Sequence, residues 1–157
     1  MLTDLCVYTL KQSDDLRAAL EDGGRATYTE RKKWVRAKQL VDNAKRTEKR
    51  LPVIFAPAEW TRYLLAWALL DEVVLDEGTA YTFSGLQMFD PQPRKTSLKK
   101  ASNGAPLDPG FIRPYAICQT PDYLMELAVA IGGDAIVLAP RFRRRAERVA
   151  APDRPRD

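Results

Sequence analysis

Short apolar stretches with different periods follow one another along the chain. Leu5 to Leu10 has the composition of a strand, and Ser13 then opens a short helix to Leu20, its hydroxyl serving as the cap and Gly23-Gly24 as the stop. From Arg31 to Lys49 the period changes: Trp34, Ala37, Val41 and Ala44 recur every three or four residues, with Leu40 beside them, which predicts an amphipathic helix. Pro52 breaks that helix, and the apolar run Val53 to Ala56 predicts a strand. Pro57 suits the first turn of another short helix, on which Trp60, Tyr63, Leu64 and Trp67 would share a face. Leu69 to Leu75 and Thr79 to Phe83 are rich in β-branched and aromatic residues, and Asp76-Glu77-Gly78 between them predicts a hairpin.

The last third is more broken. Asp90 to Gly110 contains Pro91, Pro93, Pro106 and Pro109 and reads as a long loop, a type that is often functional or mobile. Tyr115 to Gln119 predicts a strand, and Thr120-Pro121-Asp122 is a good start for a helix that runs to Ile131 and stops at Gly132-Gly133. Ala135 to Leu138 is a candidate final strand. Residues 1–140 are thus read as one domain and 141–157 as a basic carboxyl-terminal helix and tail. With more hairpins than βαβ units, the fold expected is α+β, a small, mainly antiparallel curved sheet or β-barrel flanked by helices.

Composition narrows the chemistry. A chain of 157 residues fits one ordinary domain. No apolar run reaches the roughly 18 residues of a spanning helix, and the amino terminus lacks a secretory pattern, so no membrane partner is expected and the cytoplasm is the default location. Cys6 and Cys118 form no C-x-x-C pair and read as small core residues. There is no histidine, which removes Ser-His-Asp triads, histidine metal ligands and histidine general bases. Phosphate-binding glycine loops and nucleophile elbows are absent too, so neither a catalytic residue nor a cofactor is indicated. Asp71-Glu72 and Asp76-Glu77 read as solvated strand ends, since neighbouring strand residues point to opposite faces. Glu30-Arg31-Lys32 matches half of a metal-dependent nuclease pattern, with Asp22 as the nearest upstream acid, but lies at the opening of the expected helix.

The formal net charge of +4 hides three basic blocks. Arg25 to Arg50 carries ten basic residues against three acids, Arg94 to Arg113 five against one, and Arg141 to Asp157 seven against three. Clustered cations of this kind suit the phosphates of nucleic acid, while aromatic rings stack on exposed bases. The candidate interface is therefore Lys32, Lys33, Arg36, Lys45 and Arg46 on the basic helix, with Ser97, Lys99, Lys100 and Asn103 on the loop and Arg113 at a strand entrance. Trp34 or Trp60 would form the stacking wall. Pro114 biases Arg113 towards an extended backbone, from which its guanidinium can grip a phosphate with two bonds.

Between Trp34 and Tyr123 the order of elements resembles the PUA-like superfamily, especially its EVE and ASCH branches. The resemblance is carried by the Trp34 segment, the strand LPVIFA, the hairpin AWALLDEVVLDEGTAYTFSGLQ and the strand and helix FIRPYAICQTPDYL. It implies a small β-barrel flanked by helices, with a cleft that binds RNA or a modified base. The leading expectation is thus a nucleic-acid-binding module, RNA or DNA, that reads a modified base. The alternatives are an oxygen-ligated metal-dependent nuclease and a non-catalytic subunit with an acidic protein partner.

Overall fold

Three of the expected strands form with little change in a computed structural model that describes residues 1–59, 62–108, 113–131, 144–145 and 147–148. They are β1 (Leu5–Lys11), β3 (Leu51–Pro57) and β6 (Tyr115–Gln119). The hairpin is longer than its apolar pattern suggests, with β4 at Ala66–Leu75 and β5 at Thr79–Met88. A strand not foreseen, β2 (Ala26–Glu30), completes a six-stranded mixed sheet in the order β2-β5-β4-β3-β1-β6. Only β1 and β3 run parallel; the other four pairings are antiparallel. The α+β, mainly antiparallel expectation therefore holds.

Side chains on the central strands alternate between two buried faces, as the strand period of two requires. Val7, Val53, Phe55, Ala68 and Leu70 face one core, which α1 (Ser13–Glu21) and α2 (Val35–Arg46) cover with Leu16, Ala37, Val41 and Ala44. Tyr8, Ile54, Trp67 and Leu69 face the other, closed by Leu98 and Leu107 of the long loop and by Leu124 of α3 (Asp122–Ile131). Covering on both sides explains why LPVIFA is apolar throughout instead of alternating.

The sheet is curled but not closed into a barrel. In a flat sheet, β1 and β2 would stand four strand spacings apart, roughly 19 Å. Yet Lys11 Nζ of β1 lies 3.2 Å from Glu30 Oε2 of β2 and 4.4 Å from the centre of the Tyr28 ring. Trp34 likewise reaches Tyr81 on β5 and Tyr115 on β6, with ring centres 4.5 and 4.7 Å away. The two edge strands, β2 and β6, remain unpaired with each other.

Several boundaries depart from the sequence reading. Gln12, not Ser13, occupies the cap position of α1, and the Ser13 hydroxyl donates to Glu59 Oε1 instead. α2 starts at Val35 because the preceding turn is drawn into the core: Thr79 Oγ1 accepts from the Trp34 amide at 2.8 Å and donates to the Lys32 carbonyl at 2.6 Å. It ends before Pro52, in a turn where Glu48 takes a φ of 57° and the Lys49 amide donates back to the Ala44 carbonyl.

Among the described residues after Pro57 the expected short helix does not form. Tyr63 bridges to Arg94, the Leu64 amide donates to the Pro93 carbonyl, and Trp67 lies inside β4, so apolar residues that share a helical period serve a loop and a strand. Trp60 lies outside the described residues. The long loop is well tied: it holds a 3-10 turn at Lys95–Ser97, and the Lys99 carbonyl and Ala101 amide bond along the outer edge of β6. In the tail read as a basic helix, Arg144–Arg145 and Glu147–Arg148 form a short antiparallel ladder. Ala135 to Leu138 and the rest of the tail lie outside the described residues. No helix among the described residues is long and apolar enough to cross a membrane.

Candidate nucleic-acid interface

Tyr115 organises one end of the molecule. Its hydroxyl accepts from the Ala37 amide at 3.1 Å, so a side chain from β6 satisfies one of the free donors that α2 presents in its first turn. Lys32 Nζ lies 5.9 Å from the centre of the Tyr115 ring, and burial raises the hydroxyl's pKa against smaller downward pulls from the Ala37 amide and the charge of Arg36. Lys32, Lys33 and Arg36 are exposed around this helix start. Arg113 is exposed as well, two residues before Tyr115, and the next residue is pinned where the Thr9 hydroxyl donates to the Pro114 carbonyl at 2.6 Å. No salt bridge to Arg113 forms among the described residues.

Lys45 and Arg46 are exposed in the last turn of the same helix, where positive charge faces the negative end of the macrodipole. The guanidinium of Arg46 donates to Asn43 Oδ1 at 3.2 Å. The structure thus places Arg36, Lys45 and Arg46 on α2 and Lys32 and Lys33 in the turn just before it, and sets Arg113 near the helix start.

The loop residues belong to a different surface. Leu98 and Leu107 anchor the loop on the sheet face opposite α2, so it does not close against the basic helix. There the Ser97 hydroxyl is engaged with the Arg94 carbonyl at 2.6 Å and Tyr123 Oη at 2.8 Å. Asn103 Oδ1 accepts from the Ala105 amide in a local turn, Lys100 pairs its backbone with Cys118, and Lys99 is exposed. The single site expected where helix, loop and strand meet is therefore divided between two faces of the sheet.

Trp34 offers no wall for an incoming base. It is 1% exposed and both of its faces are occupied, by Tyr81 and Tyr115, at interplanar angles of 20° and 17°. Its place in the apolar stripe of the sequence is the signal that it belongs to the core.

Sequence reasoning missed a polar group inside the curl. Lys11 and Glu30 form their ion pair largely out of solvent, and the Tyr28 hydroxyl donates to the Asp15 carbonyl beside them. Next to this group the Tyr81 hydroxyl is fully buried with no hydrogen-bond partner among the described residues. Burial first, and then the carboxylate of Glu30, push its pKa well up, so it stays a neutral donor. Glu30 ends a strand and not the start of a helix, the context a metal-dependent nuclease needs, but its carboxylate is committed to Lys11. No group of three or more metal-binding side chains forms among the described residues. No family model and no curated protein matches the chain.

Proposed function

We propose that the chain is a nucleic-acid-binding module. The observation that carries this reading is the exposed set of cations on α2 and the turn that leads into it: Lys32, Lys33, Arg36, Lys45 and Arg46 meet no carboxylate among the described residues. Three of them crowd a helix start that has no acid in its first turn, where the macrodipole already disfavours positive charge. Folding alone gives no reason for that arrangement. An approaching phosphate would relieve it, because backbone amides and cations then share one anion.

Recognition of a modified base, in the manner that the PUA-like resemblance implies, is a finer proposal. The curled sheet and the unpartnered Tyr81 hydroxyl beside Glu30 support it. Binding of labelled single-stranded RNA, single-stranded DNA and duplex DNA, followed from about 50 to 200 mM salt, tests the module itself. Affinity should fall steeply with salt, and replacing Lys32, Lys33 and Arg36 by alanine should reduce the log–log slope by about two to three. Absence of binding, or binding indifferent to salt, would overturn the reading and favour an acidic protein partner.

A further inference from the structure

The solvent side of α2 carries a pattern that charge alone does not explain. Ala37, Val41 and Ala44 hold the helix on the sheet, while Arg36, Gln39, Asn43 and Arg46 are exposed. Their spacings of three, four and three put them on one line along the helix. Arg36 Nη1 donates to Gln39 Oε1 at 3.4 Å and Arg46 Nη2 to Asn43 Oδ1 at 3.2 Å, so each guanidinium leans inward over an amide. The nearest acid on the helix, Asp42, is off that line and engaged with Lys38 at 3.3 Å.

An acidic protein surface would need only the cations. Two primary amides between two arginines add neutral forks, each a donor beside an acceptor, the geometry that matches the exposed edge of adenine, while arginine matches guanine or phosphate. An α-helix about 10–12 Å across fits the roughly 12 Å major groove of B-form DNA. The deep, narrow major groove of an RNA duplex excludes it. Arg36 and Arg46 stand about 15 Å apart along the axis, with Lys32 and Lys33 beyond one end and Lys45 beside the other, as cations flanking a groove would.

We propose that α2 enters the major groove of duplex DNA, with Gln39 and Asn43 at base edges and the flanking cations on phosphates. This rests on the nucleic-acid reading above and names its partner. The test is selection from a pool of 20-base-pair duplexes with randomised centres, using the full chain and its Gln39→Ala/Asn43→Ala variant. The full chain should enrich an adenine-containing motif. The double variant should bind the enriched duplex about 10- to 100-fold more weakly with an unchanged salt slope, whereas Lys32→Ala/Lys33→Ala should lower the slope and leave the preference intact. All four side chains are exposed, so circular dichroism melts should match the parent. Salt-dependent binding to single strands or RNA with no duplex motif enriched would overturn the groove reading and leave the broader function standing. Absence of salt-dependent binding to every probe would overturn both.

Discussion

Two residues set conditions that no neighbour can relax. A Cβ on Gly78 would run into the Glu30 and Arg31 carbonyls, because the β4–β5 turn presses against the end of β2. Gly78→Ala should therefore lose about 1–3 kcal/mol in chemical denaturation, far more than an exposed turn residue loses. Glu48 is the opposite case: a non-glycine residue in the left-handed region at the end of α2, with its side chain exposed. Glu48→Gly should stabilise the protein by up to about 1 kcal/mol, read as a higher melting temperature, since glycine takes that backbone without the Cβ penalty. Trp34, stacked on both faces, should cost about 3–5 kcal/mol when replaced by alanine.

At the level of elements, legibility followed periodicity. β3, β6 and the buried stripe of α2 could be read from the sequence, because Leu51 to Ala56 is apolar throughout and Trp34, Ala37, Val41 and Ala44 repeat with a helical step. β2 escaped because Ala26 to Glu30 holds little apolar signal, and its alternating threonines and Tyr28 find their place only through β5. The supposed helix after Pro57 failed for the converse reason: Leu64 and Trp67 fit a helical step by coincidence and enter the same core, one from a loop bonded to Pro93 and the other from β4. For the site, residue type was legible but position was not: the cations cluster on α2 and the turn before it, while the loop expected to join them is fastened by Leu98 and Leu107 on the other face of the sheet. Limited trypsin digestion checks this. Lys99 and Lys100 should resist cleavage in the folded protein, and Leu98→Ala should make them sensitive.

For the whole molecule, burial of weak acids fixes how stability depends on pH. Burial pushes Cys118 and Tyr123 up to about 12, and Cys6, Tyr8 and Tyr81 are raised as well. Each holds its proton more tightly when folded, so the stability it contributes is complete below its unfolded pKa, near 9 for cysteine and 10 for tyrosine. That contribution is lost as pH climbs towards 12. Lys95 works the other way, because desolvation lowers its pKa and its burial becomes easier as it deprotonates, but it is one group against seven once Tyr28 and Tyr115, also raised by burial, are counted. The urea midpoint should hold steady to about pH 9 and then fall, and tyrosine absorbance should rise late. The order of strands adds a constraint in time. β2 lies between β1 and β3 in the chain, yet among the described residues its only strand partner is β5, which ends at Met88. A ribosome adding about 5–20 residues per second needs roughly 3 to 12 s to travel from Glu30 to Met88. For about the second half of that interval, once Pro57 has been added, β1 and β3 have a native pairing open to them, while the strand between them must wait without one, held within a growing chain by the segments on either side.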